Sequence, residues 1–253
     1  MHEDQLTLFP VPIKATGKPG RLQPFFSYYG SKWRIATKYR CPCPRLGGGR
    51  IIEPFAGSAA YSLLHYDNEV RLYDKDPIII GVWQYLIKAT PNEIMELPLI
   101  RYDQTVDDLK IPQEARWLIG FWLNKAKSSP AKSPGSWMRK RFQGYQFWGE
   151  KIRKRIAQQV PYIKHWKAEV SDYGNIPNVN ATWFVDPPYQ DKGRFYRMGS
   201  SDIDFPHLGR WCRQLYGQVI VCENTGADWL PFRPFRAVKA TTKHSAEVIW
   251  SKP

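Results

Sequence analysis

Asp186-Pro187-Pro188-Tyr189 is the stretch of this chain whose residue types are best suited to chemistry. It closes the apolar run Ala181-Thr182-Trp183-Phe184-Val185, which reads as a strand. Open α/β sheets bind ligands just beyond the carboxyl ends of such strands. A carboxylate and a proline carbonyl are two acceptors. Prolines fix the backbone that carries them and remove N–H donors that would compete. Two such acceptors can hold the hydrogens of an exocyclic amine on an aromatic base, favour a pyramidal nitrogen and aim its lone pair at an electrophile. Tyr189 can stack on the face of a base that has left its duplex. Asp186, Pro187, Pro188 and Tyr189 are therefore the candidate catalytic residues.

A second group surrounds Glu53-Pro54-Phe55-Ala56-Gly57-Ser58-Ala59. Small residues between a strand and a helix let the backbone approach a ligand closely. Asp74 ends the following strand, about twenty residues on, where an acid can chelate the two ribose hydroxyls of an adenosyl group. A third group is a basic cluster. Between Lys125 and Arg155 lie ten basic residues and one acid, Glu150, interleaved with Trp137, Phe142, Tyr145, Phe147 and Trp148. The chain carries a formal net charge of +14, so most of its excess sits in this one segment, which suits phosphate contact. Arg139, Lys140 and Arg141 are the candidate DNA-binding residues, and Gln143 to Phe147 the candidate aromatic reader. The run Lys151 to Arg155 reads as a solvated helix face.

These groups need elements to hold them. Arg50 to Phe55 and Val70 to Asp74 read as buried strands, with a helix opening near Ala60 and another at Pro77. Lys32 to Arg40 reads as a helix. After Asp186 come a polar loop to Ser201, a helix from His207 to Tyr216, a strand over Gln218–Cys222 and two last strands, Arg236 to Ala240 and Ala246 to Trp250. Strand, tight turn, helix, strand is the signature of a doubly wound sheet. Residues 90–178 carry many prolines and show no clear strand–helix alternation. The expected organisation is an arm at 1–24, one α/β domain made of 25–89 and 179–253, and an inserted segment at 90–178. The loop Gln190 to Ser201 could cover a flipped base.

Composition narrows the partners. At 253 residues, 43% hydrophobic, the chain can fill a core. It has no long apolar run for a membrane span and no signal-peptide pattern at its start. Cys41, Cys43, Cys212 and Cys222 fit neither a disulfide framework nor zinc-ligand spacing, which points to a reduced, cytoplasmic protein. His65, His165, His207 and His244 fall in no ligand spacing, so no metal is expected.

Tyr28-Tyr29-Gly30-Ser31-Lys32, Glu53 to Ala59, Tyr73-Asp74-Lys75-Asp76 and Asp186 to Tyr189, in that order, resemble the Dam-type DNA adenine methyltransferases. The resemblance covers roughly residues 25–88 and 182–253, and the segment between matches by position only. It implies a doubly wound, Rossmann-like sheet that binds S-adenosylmethionine, with a mostly helical DNA-recognition subdomain inserted at 90–178. Cofactor contacts would come from Tyr28, Lys32, Glu53, Phe55, Gly57, Asp74 and Asp186, with Tyr28 and Lys32 at its methionine end. The implied partner is double-stranded DNA, in a prokaryotic or phage-infected cell, without an obligatory protein partner. Ser31, Glu53 and Ala59 depart from the family pattern, which has glycine, aspartate and glycine at these positions. Alternatives are methylation of cytosine N4, of RNA or of a protein amide, and a DNA-binding module without catalysis.

Overall fold

Apolar residues at consecutive positions of a strand point to opposite faces, so strands that are apolar throughout demand cover on both sides. The computed structural model describes residues 19–43, 49–124, 127–136, 147–191, 193, 196–239 and 244–253, the side chains of 236–239 and 244–245 excepted. Its strands are β1 (Arg50–Glu53), β2 (Glu69–Asp74), β3 (Lys167–Val170), β4 (Ala181–Val185), β5 (Gly217–Asn224), β6 (Arg233–Lys239) and β7 (His244–Lys252). They form one sheet in the order β3-β2-β1-β4-β5-β7-β6. The first five are parallel, and β7 runs antiparallel to both β5 and β6.

Alternation divides the interior in two. Ile51, Leu72, Phe184 and Ile220 enter one core, while Ile52, Tyr73, Trp183, Val185, Val219 and Val221 enter the other. The first core is covered by α1 (Ala60–Leu64), α2 (Pro77–Lys88), α3 (Pro91–Glu96), α4 (Gln113–Leu123) and α5 (Glu150–Gln159), together with Phe25 and Phe26. The second is closed by α6 (Phe205–Gln214) and by Trp229 and Leu230. The architecture is α/β, doubly wound and Rossmann-like. Its strand order reverses between β1 and β4, which opens a crevice at their carboxyl ends.

Local signals set the helix starts. Asp76 caps α2 by accepting from Ile78 N at 2.9 Å, with Pro77 in the first turn. Thr90 and Glu93 form a reciprocal capping box on α3. Asp204 caps α6, accepting from His207 N at 2.9 Å.

Several expectations are corrected. Lys32 to Arg40 is not a continuous helix but two short 3-10 turns, Lys32–Arg34 and Ala36–Lys38. Lys32, Ile35, Ala36 and Tyr39 are buried at the i, i+3, i+4, i+7 spacing of one helical face, which is why the segment reads as a helix, but Ile35 at φ −115° interrupts it. Among the described residues, positions 90–178 hold three α-helices, α3, α4 and α5, before a single strand, β3. The strand β3 joins the main sheet beside β2, so the proposed boundary at 178 falls after an element of the sheet domain. Phe147 and Trp148 lie in the first core, with Trp148 Nε1 donating to Pro98 O at 2.8 Å, and are not a surface reader. Arg153 and Arg155 are half-buried. They donate to Leu97 O at 2.7 Å and Pro24 O at 2.9 Å, and Arg155 lies 5.2 Å over the Trp122 ring. Only Lys151 and Lys154 of that basic run are exposed. Arg139, Lys140 and Arg141, with Gln143 to Tyr145, fall outside the described residues. Among the described residues no helix is long and apolar enough to cross a membrane.

Candidate active site

The turn after β1 is built from close backbone contacts. Gly57 has φ 44° and Ala59 φ 49°, a left-handed conformation that strains alanine by about 1–2 kcal/mol. Trp83 Nε1, from α2, donates to Gly57 O at 2.9 Å. Ser58 Oγ donates to Ser31 Oγ at 2.8 Å, which joins this turn to the Gly30-Ser31-Lys32 segment. The Tyr28 ring packs directly against Gly57. Two of the four motif groups thus meet at the carboxyl end of β1, and Asp74 brings in a third through the Gly57 N–H.

Each acid in this neighbourhood has a defined role. Asp74 Oδ2 accepts from Gly57 N at 3.1 Å and its Oδ1 from Asp76 N at 2.9 Å, so it ties the two turns together. Burial pushes its pKa up to about 6, against those two N–H groups. Each oxygen retains a second lone pair for a ligand. Glu53 Oε1 accepts from Ser62 N at 2.8 Å and from Ser62 Oγ at 2.6 Å. Burial drives Glu53 up to about 8, again opposed by its hydrogen bonds. Both acids carry the sign of desolvated carboxylates.

The residues after β4 meet Lys32, 154 positions earlier in the chain. Lys32 Nζ donates to Asp186 Oδ2 at 3.0 Å and to Gly30 O at 3.0 Å. It also stands 2.9 Å from Asp186 Oδ1, yet among the described residues that buried oxygen has no hydrogen-bond donor. Burial pulls the Lys32 ammonium toward neutrality, but Asp186, and then Glu247, more than reverse this and hold it above the ordinary lysine range. Asp186 is pushed upward by burial and restrained by the ammonium. The pair is an ionised lysine on an acceptor carboxylate.

The remainder of the tetrapeptide divides. Pro188 lies on the wall of the cavity with Asp186, whereas Pro187 is buried behind it. Tyr189 is not on that wall. Its hydroxyl donates to Glu247 Oε2 on β7 at 2.6 Å, and its ring lies 4.7 Å from the Lys32 ammonium.

The cavity, counted together with its open mouth, has a volume of about 900 Å³. Tyr28, Lys32, Glu53, Phe55, Gly57 and Asp74 all line it. So does a group not foreseen, Ser171-Asp172-Tyr173 beyond β3, whose Tyr173 ring lies 5.7 Å from that of Phe55. The edge strand before it shows one buried residue in four, which left no apolar signal to find it by. Tyr196 and Met198 from the following loop were also missed, their sequence having suggested a cover but no particular contact. Among the described residues six acidic side chains line the space, Glu53, Asp74, Asp76, Asp172, Asp186 and Asp202, of which Glu53 holds its proton at neutral pH, against two lysines, Lys32 and Lys75. In a chain of net charge +14, this is a local reversal of sign. It suits a ligand that is cationic or rich in donors, and opposes a polyphosphate.

No protein-family model matches the chain, and no curated protein matches it. Among solved structures it is similar to the rRNA methyltransferase aviRa from Streptomyces viridochromogenes. The identity is 14% over 90% of this chain and 87% of that one, with a TM-score of 0.39.

Proposed function

We propose that this chain is an S-adenosylmethionine-dependent methyltransferase acting on the exocyclic N6 of an adenine turned out of duplex DNA. The observation that carries the reading is Asp186, a carboxylate ion-paired to Lys32 whose Oδ1 receives no well-directed hydrogen bond among the described residues, on the wall of an acid-lined cavity at the switch point of the sheet. An incoming N–H can supply the directed hydrogen bond that the ion pair leaves open at this oxygen.

The residues fit the cofactor. Its sulfonium and ammonium are cationic, matching the aspartates of the wall, and its ribose hydroxyls match the remaining lone pairs of Asp74. Tyr28, Glu53, Phe55 and Gly57 would enclose it, and Lys32 would meet its carboxylate. When bound, S-adenosylmethionine supplies an electrophilic methyl together with its own leaving group.

The protein has to bind, orient and exclude water. Asp186, kept ionised by Lys32, accepts from the amine at Oδ1 and so fixes the direction of its lone pair. Pro187 and Pro188 offer no N–H to compete for that hydrogen bond. Lys32 stays protonated and is not a base, so the amine proton leaves to solvent after transfer. DNA as the substrate, and adenine as the base, are supported by the motif order and the +14 charge. Arg139, Lys140 and Arg141 are the proposed phosphate contacts.

The test is methyl transfer from tritiated S-adenosylmethionine to amplified, unmethylated DNA, followed by nucleoside analysis. N6-methyladenine is the expected product, and Asp186→Ala should abolish it while leaving duplex affinity intact. N4-methylcytosine would replace adenine by cytosine, and label in RNA alone would reject the DNA assignment.

A further inference from the structure

A planar base presented to Asp186 needs an aromatic surface beside it, and Tyr189 is already committed elsewhere. Its hydroxyl is held by Glu247, the Lys32 ammonium lies over its ring, and it does not line the cavity. We propose that Tyr196, with Tyr29 at its edge, is the aromatic surface that positions the acceptor base. This deepens the reading above and rests on it.

Tyr196 lies on the same cavity wall as Asp186 and Pro188. Its place is fixed from three sides. Gly193 presses against the tetrapeptide so closely that a Cβ there would come within 2.8 Å of the Pro188 carbonyl carbon and 2.6 Å of Ser200 Cβ. That glycine accepts from Tyr196 N at 3.1 Å, so the ring follows the tetrapeptide as one unit. On the far side the Tyr196 hydroxyl rests on Gly30, which has φ 72°, where a Cβ would lie 2.0 Å from it. The next residue, Arg197, donates to Asp76 Oδ1 at 2.6 Å. The Tyr29 ring meets Tyr196 edge-on at 5.3 Å and the Tyr28 ring lies at 6.0 Å. A ring held this firmly, with Gly30 shaped to receive it, is preorganised to stack at little entropic cost. Tyr29 N donates to Lys127 O at 3.2 Å, which ties this aromatic edge to the start of the basic segment.

The test uses the full chain with tritiated S-adenosylmethionine and amplified DNA, and follows binding of S-adenosylmethionine by calorimetry. Tyr196→Leu should lower kcat/KM for DNA roughly 10-fold or more, the loss expected of a removed stacking partner. Its cofactor Kd should stay within about twofold, and Tyr196→Phe, which keeps the ring, within about threefold of wild-type activity. Tyr196→Leu with unchanged kcat/KM, a Phe variant as impaired as Leu, or a loss confined to cofactor affinity would each overturn the assignment. If the wild-type protein binds S-adenosylmethionine but methylates no DNA, the functional reading falls and takes this proposal with it. An active wild type indifferent to Tyr196→Leu removes Tyr196 alone.

Discussion

Replacing Lys32 by Met keeps the length of the side chain but removes the charge that faces Asp186. At 2.9 Å and an effective dielectric of about 20, the pair gains roughly 6 kcal/mol of Coulomb energy before desolvation is subtracted. Lys32 is 5% exposed and Asp186 19%, so water does little to replace the missing charge. Breaking one partner of such a buried pair typically costs about 3–5 kcal/mol. For a chain of this size that predicts a fall in Tm of roughly 6–20 °C. Activity should change in a separate way. Burial already pushes Asp186 upward and Lys32 is the main restraint, so in Lys32→Met the carboxyl takes up a proton at higher pH than in the wild type. A protonated Asp186 no longer offers two acceptors, and the acidic limb of the rate profile should move to higher pH. Lys32→Met/Asp186→Asn, which removes both charges, should regain much of the lost Tm but none of the activity. The measurements are thermal melts and single-turnover methyl transfer between pH 6 and about 9. A Lys32→Met protein with wild-type Tm and an unshifted profile would refute the assignment of the pair.

Three further outcomes follow from the same geometry. Asp74, with a pKa of about 6, must be ionised to accept from ribose hydroxyls, so affinity for S-adenosylmethionine should fall as pH drops below 6, to roughly a tenth at pH 5 by calorimetry. Constant affinity across that range would exclude Asp74. Glu53 has a folded pKa of about 8, raised above its ordinary value near 4.5, so the native state holds the proton more tightly. The stabilisation it contributes is complete below about pH 4.5 and is lost as pH rises through 8. Glu53→Gln should therefore flatten the decline of Tm across this window, and an identical slope would show that Glu53 titrates normally. Trp83→Phe leaves Gly57 O without its donor, which should cost about 1–3 kcal/mol and weaken cofactor binding through the loosened turn, read by melting and calorimetry together.

How much of this was legible in the sequence depends on how local the cause is. Strands β1, β4 and β5 could be read because their apolar residues are contiguous, β2 because only Arg71 separates Val70 from Leu72 and Tyr73, and α2 because Asp76 and Pro77 form a helix start within two positions. The acids at the strand ends could be read for the same reason, since a strand's direction fixes where its last residue emerges. The edge strand β3 could not, because three of its four residues are exposed and its place is set by pairing with β2. Nor could the fate of Phe147 and Trp148, which look like a reading surface beside so many cations until α3 and α5 enclose them. Arg153 and Arg155 look solvated until the carbonyls of Leu97 and Pro24 are brought beside them.

The site shows the same division. The sequence by itself determined which groups stand at the mouth of the sheet: Glu53, Gly57, Asp74, Asp186 and Pro188. Only the tertiary structure decided what each does there. Lys32 reaches Asp186 because the aromatic segment crosses the carboxyl ends of β1 and β4. Tyr189 is drawn to Glu247 because the antiparallel β7 lies beside β5 and brings that acid within 2.6 Å of its hydroxyl. Residue type and spacing fix the chemistry a side chain can perform. Its charge state, partner and free face depend on which remote strand burial has placed next to it.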